Sequence, residues 1–264
     1  MVWRVVSAGS SMFVGEDRNA EKKRVSFFGL NRISGKVLWE HVSFDEPWWI
    51  SIEATHGDRV FLHGYARPDM PDHWKIHALD LPTGQVAWSK EDMRFMAAAG
   101  DSVFASKDSA TGRTVFELRL ETGETLRSWD NDSREVTAAR SREQADTHGL
   151  PEFPVPVNEM DPADQRAGLV RKLSEGKNIV AAEVLLHGDF CLHSYHERSD
   201  SRGALRNMLQ VVHLPTGKQV FVETLGENLQ TVAPDTFFVQ DGLLYFVRDR
   251  SVLTAVRLSA FSQV

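Results

Sequence analysis

Three observations predict an all-β chain built from a repeated four-stranded unit. The first is a ten-residue segment found four times: "LNRISGKVLW" (Leu30–Trp39), "LDLPTGQVAW" (Leu79–Trp88), "LRLETGETLR" (Leu118–Arg127) and "VHLPTGKQVF" (Val212–Phe221). The second is a small or polar turn carrying Gly and followed by a strand-like run, at Gly9, Gly57, Gly100, Gly188 and Gly242. The third is the spacing of those glycines, 48, 43, 88 and 54 residues. "THG" at Thr147–Gly149 echoes Thr55–Gly57 and divides the long gap into 49 and 39. A period in the forties with four short strands per unit is that of a β-propeller blade. Six units of 44 residues fill the 264-residue chain as a single domain, and five units with a long excursion are the alternative.

Each part of the unit has a local reason. Alternating runs on both sides of a Gly-bearing turn predict a hairpin, read as the last two strands of a blade. Gly35, Gly84, Gly123 and Gly217 supply the positive φ of the turn, and the Ser or Thr before each can bond the turn backbone. Pro82 and Pro215 sit where no ladder donor is needed. Trp39 and Trp88 end the best copies and are expected to pack between blades. In the third copy that place is Arg127, with Trp129 two residues later, and in the fourth it is Phe221. The last unit, "VLTAVRLSAFSQV", lacks Thr-Gly and ends one strand short. Either "AFSQV" or "VWRVV" (Val2–Val6) is expected to complete it, which would remove an exposed edge.

Residues 130–180 depart from the pattern and read as a degraded blade or an insertion. Asp161 and Pro162 form an N-cap and N1 pair, Leu169, Val170 and Leu173 follow at helical spacing, and Gly176 can end the element. These predict one short helix near 162–174, inside 160–176.

The repeat resembles that of the quinoprotein-type, PQQ-like β-propeller family, whose blades carry a segment like "ALDxxTGxxxW"; Ala78–Trp88 is "ALDLPTGQVAW". The resemblance covers most of the chain and implies a propeller fold. Many quinone-dependent members hold the cofactor against a disulfide of adjacent cysteines with a calcium ion. This chain has one cysteine, Cys191, so PQQ is not expected, nor is another cofactor.

A net charge of −7 and a pI near 5.8 argue against nucleic acid and against an anionic membrane surface as partners. A single cysteine excludes an internal disulfide and a Cys-based zinc site. The first residues lack a signal-peptide pattern and no apolar run reaches membrane-spanning length, so a soluble, cytoplasmic monomer is expected.

Nucleotide-binding, zinc-protease and nucleophile-elbow motifs are missing from the sequence. "DNDSRE" (Asp130–Glu135) lacks the glycine and late Glu of a calcium loop and reads as a solvated acidic turn. "VFLHGY" and "FCLHSY" place His63 with Tyr65, and His193 with Tyr195, two apart and so on one strand face. They are candidate ligand-binding residues, or buried groups bonded to a neighbouring blade. The HxxH of His193–His196 points to opposite faces. His73 and His77 would stand about 13 Å apart on an extended strand. No metal site is therefore expected. Trp48 and Trp49 in "EPWWISIE" would face opposite sides of a strand; they are read as packing between blades, or with one exposed to stack on a sugar or a partner surface. The expected function is a non-catalytic scaffold that binds a protein partner through its loops or channel mouth. The alternative is a small-molecule site, for a sugar or a hydrolytic substrate, built from His63, Tyr65, His193 and Tyr195 in the central channel.

Overall fold

The computed structural model describes residues 1–67, 70–110, 112–130, 134–145, 150–161, 163–199 and 203–262. Its chain divides into two compact units, Met1–His148 and Gly149–Val264.

The first unit holds three four-stranded antiparallel meanders. They are β1 (Val2–Ala8), β2 (Met12–Asn19), β3 (Arg24–Asn31) and β4 (Val37–Val42); β5 (Ile50–His56), β6 (Arg59–Arg67), β7 (Met70–Asp80) and β8 (Val86–Lys90); and β9 (Arg94–Ala99), β10 (Ser102–Ser109), β11 (Gly112–Arg119) and β12 (Thr125–Asp130). Helix α1 (Arg134–Ala145) follows. The second unit holds a five-stranded sheet of β13 (Val155–Pro156), β14 (Ile179–His187), β15 (Phe190–Arg198), β16 (Leu205–His213) and β17 (Lys218–Leu229). Helix α2 (Gln165–Leu173) lies between β13 and β14. A three-stranded sheet of β18 (Phe237–Gln240), β19 (Leu243–Arg248) and β20 (Val252–Arg257) ends the chain. Meander sheets that follow one another along the chain are the blades of a β-propeller. Five are seen among the described residues, one of the two counts the period allows. The turn expected at Gly149 lies outside those residues.

The repeated segment is the hairpin between the last two strands of its sheet, as its Gly-bearing turn predicts. In the second copy, Gly84 has φ +70° and its N–H bonds the Asp80 carbonyl at 2.8 Å. The Thr83 hydroxyl donates to Asp80 Oδ1 at 2.6 Å, which locks the turn.

Cores lie between consecutive sheets. Phe27 and Trp39 of the first sheet pack with Ile52, Leu62 and Leu79 of the second. Phe61, Ile76 and Trp88 of the second pack with Val103 and Leu118 of the third. Adjacent residues Phe61 and Leu62 thus serve opposite faces, as a strand requires. In the second unit, Leu192, Leu209 and Val211 meet Phe237, Leu244 and Phe246.

The hairpin tryptophans join one sheet to the next. Trp39 Nε1 donates to the Leu81 carbonyl at 2.8 Å, and Trp88 Nε1 donates to the Leu120 carbonyl at 3.0 Å. Each ring therefore docks on the following copy of the hairpin. A buried carboxylate makes a second tie: Glu16 on β2 accepts from Ser51 Oγ at 2.5 Å and from Ile52 N at 2.7 Å. Glu183 on β14 does the same in the second unit, accepting from Asp235 N at 3.0 Å and Thr236 N at 2.9 Å.

Three expectations are corrected. Val2–Val6 forms part of β1 at the edge of the first sheet, and "AFSQV" begins within a 3-10 turn, Leu258–Phe261. Neither therefore adds a strand to the last sheet among the described residues. The expected helix exists as α2 but begins later, because Asp164 accepts from Arg166 N and takes the N-cap. Asp161 instead accepts from Ala163 N in the preceding turn, and Pro162 lies outside the described residues. Finally, a second helix, α1, stands where one helix in all was expected; it takes Arg134 and Glu135 of the expected acidic turn, whose residues 131–133 lie outside the described residues. Its apolar stripe is too narrow to show in the sequence: Val136 and Ala139 alone are buried among its described side chains, packed beside Ala97, Phe104 and Val115.

Candidate functional site

In the first unit, the candidate residues belong to a cluster built by two irregularities of the second sheet. Register runs from Leu62 opposite His77 to Gly64 opposite Trp74, so β7 carries one extra residue there. Lys75 sits in that bulge with φ +65°. A bulge shifts every later side chain to the other face. It thereby sets His73 opposite Tyr65, on the face that already carries His63. A second shift, between Ile52 and Ala54, leaves Glu53 as the extra residue of β5 beside them.

Geometry within the cluster is tight. Glu53 Oε2 lies 2.6 Å from His63 Nδ1 and 2.7 Å from His73 Nδ1. The two imidazoles stack with centroids 3.5 Å apart and planes 6° from parallel. Tyr65 stands edge-on to both, at 5.0 Å and 5.5 Å, and Trp49 is edge-on to Tyr65 at 6.1 Å. Only the His73 contact is aligned as a hydrogen bond; both ring nitrogens of His63 are buried with no hydrogen-bond partner. The two histidines hold the Glu53 carboxyl below its usual pKa, against the upward push of burial.

Trp48 and Trp49 lie in a bend ahead of β5 instead of on a strand, so the alternation argument does not apply to them. Trp49 is exposed, beside the cluster, whereas Trp48 is half-buried under two cations, with Arg18 at 5.2 Å and Lys23 at 4.9 Å. His77 is apart from the cluster, its Nδ1 2.8 Å from Ser89 Oγ.

In the second unit, His193 and Tyr195 on β15 again share a face, with centroids 5.2 Å apart. The Gln210 amide of the adjoining strand donates to His193 Nδ1 at 2.9 Å, which leaves the proton on a buried Nε2 without a partner. Lys177 donates to Gln210 Oε1 at 3.3 Å and stands over the Tyr195 ring at 4.3 Å. Burial, with a smaller contribution from the Lys177 charge, pushes the His193 pKa down to about 4. His63 and His193 thus find their neighbours within their own sheets. Cys191, fully buried, has its thiol pushed up to about 11 and is no nucleophile at neutral pH.

The His193 shift carries a pH dependence with a definite sign. A histidine whose folded pKa lies below its unfolded value binds more protons unfolded, so stability is lost as pH falls from about 6.5 towards 4. The full shift corresponds to about 3 kcal/mol. His196 and His77, also lowered by burial, act in the same direction, whereas Glu183, raised by burial, opposes them. Urea unfolding of His193→Gln between pH 7 and 4.5 is expected to show a clearly shallower loss than the parent chain. Equal slopes would mean that His193 is not held neutral.

The same unit carries an apolar groove of about 790 Å³. Its walls include Val157, Met160, Val170, Ile179, Val180 and Val232. Along its floor runs β14, which β13 covers only at Glu183 and Val184. Ile179–Ala182 pair with β15 on one side and with no strand on the other among the described residues. Glu183 and His196 fix the opposite wall: His196 Nε2 accepts from Ala233 N at 3.2 Å, and Glu183 holds residues 235–236.

Glu53, Lys177 and Glu183 were missed from sequence, and His73 was weighed only with His77. Glu53 and His73 reach His63 through cross-strand register, which a spacing search along one strand cannot see; Lys177 and Glu183 act through contacts with residues distant in sequence.

A family model described as a domain of unknown function, DUF4905, matches residues 6–88. None of the curated proteins matches the sequence. Among solved structures, the chain is similar to the β-propeller domain of the Trilobed protease from Pyrococcus furiosus, described as having an open velcro topology. Identity is 9%, the match covers 97% of this chain and 68% of that one, and the TM-score is 0.31. Pyrococcus horikoshii acylaminoacyl peptidase matches at 10% identity over 97% of this chain and 38% of its own, with a TM-score of 0.31. The dihydro-heme d1 dehydrogenase NirN in complex with DHE matches at 12% identity over 86% and 38%, with a TM-score of 0.28. The chain therefore spans well under half the length of the last two. Its β-propeller fold rests on its own meander sheets and on the tryptophans that dock each hairpin on the next.

Proposed function

We propose that this chain is a non-catalytic scaffold that takes an extended apolar segment of a protein partner into the groove beside β14. The observation that carries the reading is the coincidence of an open strand edge, Ile179–Ala182, with apolar walls on both sides. An extended segment adding to such an edge gains main-chain hydrogen bonds, and alternate side chains enter the groove. Four residues of edge span about 13 Å, enough to fix register without a large interface. Val180 and Val232 are 45% and 40% exposed, so apolar surface stands ready there. The wall is preformed by Glu183 and His196, which limits the ordering cost of binding.

The test begins with ten-residue peptides selected from a random display library on the purified chain. Selected peptides are expected to be apolar and extended. Val180→Arg and Val232→Asp, both at exposed positions, should weaken them at least tenfold without lowering Tm by more than about 2 °C, since surface changes are worth a few tenths of a kcal/mol. Binding that survives both substitutions would overturn the reading, as would a selection that returns no binder.

A second reading, a small-molecule site, is supported by exposed Trp49 and half-buried Tyr65, which form an aromatic wall beside His63. His63→Ala should then abolish the melting shift given by any sugar or metabolite found in a thermal-shift screen.

A further inference from the structure

We propose that Glu53, His63 and His73 form a binding site for one divalent first-row transition-metal cation, of the Zn²⁺ class. Three strands each supply one ligand atom, and those atoms lie within 4.8 Å of one another. Two imidazole nitrogens and one carboxylate oxygen suit Zn²⁺, Co²⁺ or Ni²⁺, whereas Ca²⁺ and Mg²⁺ prefer all-oxygen sets.

The independent observation is His63. Its side chain is 4% exposed, and neither ring nitrogen has an aligned partner although Nδ1 stands 2.6 Å from the carboxylate. A neutral imidazole has one N–H and one lone pair. Either tautomer of His63 therefore leaves a buried polar atom unpaired, which is unfavourable in the core. A cation shared with Glu53 and His73 removes that deficit. It also explains why two rings stack at 3.5 Å around one oxygen without a donor aligned from each.

Coordination needs a modest rearrangement. Bonds of about 2.0–2.1 Å in a tetrahedron place ligand atoms roughly 3.3 Å apart. The Oε2 to Nδ1 separations of 2.6 Å and 2.7 Å must therefore widen. Parallel rings also cannot both aim in-plane lone pairs at one ion. His73 is the ligand free to move, because its side chain is 42% exposed, whereas His63 is fixed in the core. Lys75, whose positive φ makes the bulge that delivers His73, holds strain of the kind that collects at binding sites. Its ammonium is engaged elsewhere, 2.6 Å from Glu91, so it brings no competing charge. Three protein ligands leave a position for water or another ligand.

The full chain, stripped with EDTA and exchanged into chelator-free buffer, is titrated with ZnCl₂ by calorimetry and with CoCl₂ by visible absorption. One Zn²⁺ per chain is expected at micromolar or better affinity, together with Co²⁺ bands of a low-coordinate N/O site and no uptake of CaCl₂. His73→Ala and Glu53→Gln should each weaken Zn²⁺ at least tenfold while far-UV circular dichroism stays unchanged. Zinc K-edge absorption of the parent chain, expected to show two imidazoles, decides the matter even if a variant fails to fold. Absence of saturable uptake, uptake unchanged in His73→Ala, or a spectrum with fewer than two imidazoles would overturn the proposal.

Discussion

Glu16→Ala is expected to lower the unfolding free energy by about 3–5 kcal/mol, the cost of breaking a buried ion pair and leaving its partner charged. Glu16 is fully buried. Arg18 donates from Nε to Glu16 Oε2 at 2.9 Å, and its side chain is itself 10% exposed. The same carboxylate accepts from the Ser51 hydroxyl and the Ile52 amide of the next sheet. Removing it leaves a guanidinium held by carbonyls of Trp48 and Ile50 and a backbone N–H without that acceptor. Glu16→Gln keeps the shape and one acceptor oxygen and should cost less. Urea unfolding at pH 7 measures both; a loss below about 1 kcal/mol for the alanine variant would remove Glu16 as the tie between the first two sheets.

The second large effect concerns the hairpin glycines, which have identical backbone demands but different surroundings. Gly35, Gly84, Gly123 and Gly217 all have φ between +66° and +70°. A Cβ at Gly84 would stand 2.5 Å from Trp39 Cδ2, and one at Gly123 would stand 2.7 Å from Trp88 Cδ2. At Gly35 and Gly217 a Cβ meets nothing within 4 Å. Alanine at Gly35 or Gly217 should cost only the left-handed backbone penalty, about 1–2 kcal/mol. At Gly84 or Gly123 the tryptophan ring must also be displaced, and overpacking adds about 1–3 kcal/mol. Thermal melts of the four variants should therefore fall into two pairs. A single cluster of values would show that the tryptophans do not dock on the hairpins.

These two ties differ in how far the sequence reveals them. "LDLPTGQVAW" is legible because turn, hydroxyl and Gly act within ten residues, and its recurrence marks Trp39 and Trp88 as contacts between units. Glu16 is not legible: an acidic residue in "FVGEDRN" reads as a solvated strand position, and its donors come from residues 51–52, which only the packing of the next sheet brings near. The candidate cluster divides in the same way. His63 with Tyr65 follows from strand alternation, whereas His73 joins them only through the extra residue at Lys75. Strict alternation along β7 without that bulge would set Trp74, not His73, opposite Tyr65. Helix α1 stayed hidden because two small apolar residues are its whole described core face. Helix α2 was visible through its apolar spacing, although the cap shifted three residues to Asp164.

The functional reading rests on the open edge of β14, and residue-resolved hydrogen exchange tests it most directly. In the free chain, outward-facing amides within Ile179–Ala182 are expected to exchange orders of magnitude faster than those of the interior strand β15, because no strand among the described residues pairs with them on that side. Saturation with a peptide selected on the groove should slow them at least a hundredfold and leave the first unit unchanged. Amides already protected in the free chain, or indifferent to the bound peptide, would contradict the account.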